Sequence, residues 1–93
     1  KETYILTVQG PNRAGIVHGI SSFCYLHNIN ITDLVTTLKN NLYIMALQLD
    51  LRGCDISLDL LRRELDEYAQ SGDLTVVLQH NDIFAATHEI SLR

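Results

Sequence analysis

The residues best suited to chemistry form one short stretch near the N-terminus, Gln9-Gly10-Pro11-Asn12-Arg13-Ala14-Gly15-Ile16. This stretch joins a predicted strand to a predicted helix, where backbone N–H groups and the positive end of the helix dipole favour a carboxylate. Gly10 and Gly15 allow unusual dihedral angles and let a ligand approach the backbone. Asn12 has donors and an acceptor, which suit the ammonium and carboxylate of an α-amino acid. The alternative is an ordinary turn in which Asn12 caps the helix.

Other polar residues give weaker signals. The histidines lack the close spacing of a metal site, and each is predicted to be a surface or capping residue: His18, His27, His80 and His88. Asp33 and Asp50 fall on different predicted strands, so a catalytic carboxylate pair is not indicated. Cys24 and Cys54 do not form a C-x-x-C motif and are predicted to be free thiols. We therefore expect no metal, no cofactor and no enzymatic activity.

The bulk properties indicate one packed domain over residues 1–93. Hydrophobic residues make up 46% of the 93, and the formal net charge is -4, with the basic residues scattered along the chain. Scattered basic residues do not form the positive patch that nucleic acid requires, and no apolar run suits a membrane span or signal peptide. A cytoplasmic protein is the default expectation. The chain starts at Lys1, which is compatible with a piece of a longer protein.

The strands and helices that position the loop are predicted from the spacing of the apolar residues. Strands are predicted over residues 4–9, 29–39, 42–51 and 74–79, and helices over residues 14–27 and 56–70. The first helix is predicted to turn these residues inward: Ile16, Val17, Ile20, Phe23, Cys24 and Leu26. Asn40 and Asn41 suit the hairpin turn, Ser57 or Asp55 suits the start of the second helix, and Gly72 suits the position after its end.

This order predicts an α+β, ferredoxin-like βαββαβ fold, a four-stranded antiparallel sheet with both helices on one face. The strand over residues 42–51 has apolar residues on both faces. One face carries Leu42, Ile44 and Ala46, and the other carries Tyr43, Met45, Leu47 and Leu49. The face without helices would therefore expose an apolar patch, which predicts a homodimer. Residues 83–93, a predicted C-terminal extension, are the alternative cover for that face.

The segment YILTVQGPNRAGIVHGISSFCYLHNINITDL resembles the opening half of an ACT domain, which has a strand, a G-x-[DN]-R-P-G-[IVL] loop, a helix and then N-I-x-D. The first domain of formyltetrahydrofolate deformylases and the domains of glycine cleavage repressors and phosphoserine phosphatases share this pattern. The ending HNDIFAATHEI is similar to that of small stand-alone bacterial ACT proteins.

The resemblance implies a regulatory module that binds an amino acid, such as glycine or serine, at a dimer interface. In ACT domains such as that of phosphoglycerate dehydrogenase, the ligand contacts an Asn in the loop and an Asn at the start of the second strand, which match Asn12 and Asn30. The implied ligand-binding set is Gly10, Pro11, Asn12, Arg13, Ala14, Gly15, Ile16 and Asn30. Ala14 replaces the usual Pro, and Gly10 stands where that dehydrogenase has a His.

Three alternatives to a ligand-binding regulator remain open. One is a module that only dimerises, which the change to Ala14 favours, and another is the regulatory fragment of a larger metabolic enzyme. The third is an enzyme like acylphosphatase, which shares the βαββαβ order and holds phosphate in the first loop. Acylphosphatases carry a catalytic Asn within G-W-V-x-N on the second strand, and the segment from Asn30 to Asp33 does not resemble it.

Overall fold

The computed structural model describes residues 3–11 and 13–81. Its elements follow the predicted order: β1 Thr3–Gly10, α1 Arg13–Leu26, β2 Asn30–Lys39, β3 Leu42–Asp50, α2 Leu58–Gly72 and β4 Thr75–His80. The predicted extension over residues 83–93 and the loop residue Asn12 both lie outside the described residues.

The four strands form one antiparallel sheet in the order β2-β3-β1-β4, which confirms the ferredoxin-like prediction. β1 and β3 are therefore central strands, and β2 and β4 are the edges. The helix α1 contacts β1 and β2, and α2 contacts β4. Strand β2 also contains an irregularity in its pairing with β3 between Ile31 and Asp33.

A row of four leucines across the sheet shows where the core lies. Leu34, Leu47, Leu6 and Leu78 are successive partners from β2 to β4, and they share the face covered by the helices. Their exposed fractions are 48%, 1%, 0% and 7%. The core is therefore centred on β1 and β3, and the edge strand β2 extends beyond it.

Helix α1 buries a narrower stripe than its sequence predicts. Ile16, Ile20 and Cys24 are buried, in agreement with the predicted periodicity. Val17 and Leu26, which were expected to face the core, are 40% and 69% exposed. Residues spaced by four lie on one line of a helix, and only that line meets the sheet where α1 crosses it.

The turns and helix ends confirm two predictions and correct a third. Asn40 and Asn41 both take positive φ, at 54° and 65°, as the hairpin requires. Ser57 caps α2 by accepting from the Leu60 N–H at 3.2 Å. The prediction for Gly72 was wrong: Gly72 is the last helical residue, and Asp73 takes the left-handed conformation with φ 56°. Aspartate tolerates this region because its short polar side chain bonds locally.

Candidate functional site

The loop after β1 is more tightly packed than its glycines suggest. Gly10 is buried, and a Cβ there would overlap the Leu74 side chain. None of the glycines in the described ranges has a positive φ, so the expected unusual dihedral angles are not adopted. The absence of a side chain at Gly10 therefore allows close packing against Leu74.

The next residues turn outward at the start of α1. Pro11, Arg13, Ala14 and Gly15 are exposed, whereas Ile16 is 1% exposed and belongs to the core. Ile16 can therefore contribute only its backbone to a ligand. The predicted contact Asn12 is outside the described residues.

Arg13 is held over the end of the sheet by an aromatic ring. Its guanidinium carbon lies 5.6 Å from the centroid of the Tyr43 ring, within cation–π range. Tyr43 pairs with Gly10 across the β1/β3 ladder. This contact fixes a positive charge beside the predicted loop.

Two concavities flank the loop. A groove of about 560 Å³ runs along the outer side of α1 and is lined by Arg13, Ala14, Val17, His18 and Ser21. A smaller cleft of about 170 Å³ lies between the helices and is lined by Gly15, Ile16, Tyr68, Gly72 and Leu74. The Tyr68 hydroxyl donates to the Gly15 carbonyl at 3.4 Å, which places a polar group at that cleft.

Asn30, the other predicted ligand contact, lies at the opposite end of the sheet. Gly10 is level with Tyr43 and Leu38, beside the hairpin turn, whereas Asn30 pairs with Asp50 at the far end of β3. Seven residue steps along β3 separate the two levels, a distance of roughly 25 Å at the usual rise per residue. Within one chain the predicted site is therefore divided between two ends of the molecule.

A cluster that the sequence did not indicate lies at the end of α1. His27 Nδ1 is 2.9 Å from an Asp55 carboxylate oxygen, and His27 Nε2 is 2.9 Å from a Glu64 carboxylate oxygen. The His27 side chain is 18% exposed and bonded at both ring nitrogens, contacts that the prediction of a surface or capping residue did not include. Asp55 and Glu64 lie 28 and 37 residues further along the chain, and spacing alone could not connect them with His27.

These contacts change the protonation of His27. The hydrogen bond to Asp55 raises the pKa of His27 above its ordinary value of 6.5, burial opposes that effect, and the bond to Glu64 adds to it. Both ring nitrogens are occupied by carboxylates, so neither is free to accept a proton from a nucleophile. His27 therefore forms a structural clamp rather than a general base.

The remaining reactive groups offer little nucleophilic chemistry. Cys24 and Cys54 are both free. Burial raises the pKa of the Cys24 thiol to about 11, which disfavours the reactive thiolate. Asp50 is bonded to Arg52, whose hydrogen bonds lower the pKa of Asp50. Over residues 3–11 and 13–81, no cluster of three potential ligands for a metal is found.

The described part of the chain contains no helix that is long and apolar enough to cross a membrane.

Comparison with known proteins identifies relatives of similar length. The UPF0237 protein of Methanopyrus kandleri is 38% identical over 86 residues, which cover 92% of this chain and 96% of that protein. No family model matches the chain.

Solved structures confirm the fold. An ACT domain protein from Streptococcus pneumoniae superposes with a TM-score of 0.76 at 26% identity, over 92% of this chain and 97% of that one. A formyltetrahydrofolate deformylase from Pseudomonas syringae gives a TM-score of 0.75 at 24% identity, over 83% of this chain and 26% of the deformylase. The ACT resemblance noted in the sequence is therefore confirmed, and the chain belongs to the UPF0237 family.

Proposed function

We propose that the protein is a non-enzymatic regulatory module that forms a homodimer through β2 and binds a small amino acid, such as glycine or serine. The ligand would lie between the loop of one copy, residues 10–16, and Asn30 of the partner subunit. Residues 1–93 would act as one domain.

The observation that carries this proposal is the position of Asn30. In a single chain the loop and Asn30 are at opposite ends of the sheet. If two β2 strands pair antiparallel about a twofold axis, the start of each strand meets the hairpin end of the other. That arrangement puts Asn30 of the partner subunit at the same end of the combined sheet as the loop of the first copy, and it creates two equivalent sites.

The two edges of the sheet differ in a way that favours pairing through β2. On β4, the Arg62 guanidinium donates to the Leu78 carbonyl at 2.7 Å and occupies an acceptor of that strand. On β2, Leu34 and Leu38 are 48% and 72% exposed on the helix side, and Val17 of α1, the helix that contacts β2, is 40% exposed. An edge strand with exposed apolar residues is a template for a second strand.

The face without helices is a poorer dimer surface than its sequence suggested. Ile5 lies on that face and is only 1% exposed, although Val35 and Val77 on the same face are 46% and 44% exposed. Leu42, Ile44 and Ala46 are half-buried there. We therefore assign the dimer contact to the β2 edge instead of this open face.

We propose a non-enzymatic role because of the state of the reactive groups described above. The nitrogens of His27 are both bonded to carboxylates, and the buried Cys24 is held as a thiol. Hydrolysis of an acylphosphate well above the buffer rate, lost in Arg13→Ala, would overturn this part of the proposal.

A module that only dimerises is the second candidate. Its support is the packing of Leu74 against Gly10, which closes one of the backbone positions expected to admit a ligand.

Thermal unfolding separates the two candidates. Glycine or L-serine at about 100 times its Kd is expected to stabilise the native state by about 2.7 kcal/mol. For a domain of this size, that corresponds to a rise in Tm of about 14 °C. Asn12→Ala and Asn30→Ala are each expected to abolish most of the rise, since each removes a polar contact from every site.

Gln79→Ala is the matched control, because it truncates an amide side chain on the opposite edge strand β4. It is expected to retain the full rise in Tm. An unchanged Tm for the unmodified protein with any free amino acid at millimolar concentration would count against ligand binding and favour a module that only dimerises.

A further inference from the structure

The clamp formed by His27, Asp55 and Glu64 requires a protonated histidine. Ionised carboxylates only accept hydrogen bonds, and both ring nitrogens of His27 lie 2.9 Å from carboxylate oxygens. Both nitrogens must therefore carry hydrogen, which only the imidazolium form provides. Neutral His27 would retain one donor and would turn a lone pair toward the second carboxylate.

The clamp joins three segments of the chain. His27 follows the end of α1, Asp55 lies in the loop between β3 and α2, and Glu64 belongs to α2. The Phe23 ring of α1 packs edge-on against the His27 ring, with centroids 4.8 Å apart. Among residues 3–11 and 13–81, the charged groups bonded to His27 are the carboxylates of Asp55 and Glu64.

The same segments are fastened by backbone contacts that lead to Asn30. The Asn28 amide donates to the Gly53 carbonyl at 3.0 Å, and the Asp55 N–H donates to the His27 carbonyl at 3.3 Å. Asn30, three residues after His27, is the first residue of β2. The course of the chain into Asn30 therefore depends on the attachment of residues 27–28 to the loop after β3.

We propose that this clamp couples the protonation of His27 to ligand affinity by holding Asn30 in position for the shared site. The inference rests on the proposed function, because it assumes that Asn30 contacts the ligand. It adds a regulatory input, since acidification would strengthen binding and alkaline conditions would weaken it.

The direction follows from the contacts of His27. The bonds to Asp55 and Glu64 raise its pKa in the folded protein above the ordinary 6.5. The stability that the clamp contributes is therefore fully present below about pH 6.5 and is lost as the pH rises through the folded-state pKa. We expect the Kd for L-serine to increase about fivefold over that rise in pH. A change of this size corresponds to the loss of about one hydrogen bond at the site.

The test is calorimetric titration of L-serine into the dimer from about pH 5.5 to about pH 8, together with NMR titration of the His27 ring. The double variant Asp55→Asn with Glu64→Gln keeps the shape of the clamp but removes its charges. Its midpoint should move to lower pH, since neutral amides no longer favour the imidazolium. Asp59→Asn, an exposed carboxylate in the first turn of α2, is the matched control and should leave the midpoint unchanged.

Coincidence of the affinity midpoint with the His27 titration, and its movement in the double variant alone, would support the proposal. Binding of L-serine with a constant Kd while His27 titrates would overturn the coupling and leave the proposed function intact. A midpoint that stays in place in the double variant would also overturn it. If neither L-serine nor glycine binds at any pH, the proposed function and the coupling both fail.

Discussion

Leu34→Lys is expected to convert the proposed dimer into folded monomers, with the dimer Kd raised about 100-fold or more. Leu34 lies within β2 and is 48% exposed in the single chain, so a lysine there can reach solvent without disturbing the core. In an antiparallel pair of β2 strands, the two ammonium groups would be buried close to each other. Desolvation and repulsion of like charges cost several kcal/mol at an interface, and lysines on edge strands block pairing.

Val77→Lys provides the control for this substitution. Val77 is 44% exposed and lies on β4, the edge where Arg62 occupies the Leu78 carbonyl. Sedimentation velocity of both variants at matched concentration, with circular dichroism to confirm folding, distinguishes the two edges. Monomers with Leu34→Lys and dimers with Val77→Lys are expected, and the reverse pattern would assign the interface to β4 or to the helix-free face on which Val77 lies.

Leu6→Ala should lower the free energy of unfolding by about 3 kcal/mol. Leu6 is fully buried, and its partners on either side are Leu47 and Leu78 in the same row of the core. Removing its side chain leaves a cavity under both helices that a central strand cannot close by moving. The expected loss of stability is the transfer free energy of the removed apolar atoms plus the cost of the cavity that they leave.

Leu26→Ala makes the same chemical change at a position that is 69% exposed at the end of α1. It is expected to change stability by less than about 1 kcal/mol, because little apolar surface is removed from the core. Urea unfolding measures the free energy of unfolding of both variants. The two are compared at the same protein concentration, because the apparent stability of a dimer depends on that concentration. Equal losses for the two variants would contradict the core described above.

The order of elements was predictable because each has a local signal. Alternating apolar residues marked the strands, and the paired asparagines at 40 and 41 marked the hairpin through their tolerance of positive φ. How much of α1 is buried was not predictable from the spacing of its apolar residues. Val17 and Leu26 have the spacing of a core stripe, but their exposure depends on where the helix crosses the sheet.

The candidate site was only partly predictable, for a related reason. The loop from Gly10 to Ile16 could be found from residue types, yet the contact between Gly10 and Leu74 is formed by residues distant in sequence. The clamp at His27 depends on Asp55 and Glu64 in the same way. Pairing register, which places Asn30 about 25 Å from the loop, becomes visible only once the sheet is assembled.

Each proposed site combines the loop of one copy with Asn30 of the partner subunit, and this sharing can be tested by mixing two variants. Asn12→Ala and Asn30→Ala homodimers should each bind no L-serine, because every site lacks one contact. In a mixed dimer, one site carries both substitutions and the other carries neither.

Refolding the two variants together in equal amounts produces mixed dimers as about half of the total, so about a quarter of all sites should be intact. Calorimetric titration of this mixture with L-serine should therefore recover about a quarter of the wild-type stoichiometry at the wild-type Kd. A mixture that forms dimers and still binds nothing, while the wild-type protein binds, would contradict a site shared between two chains.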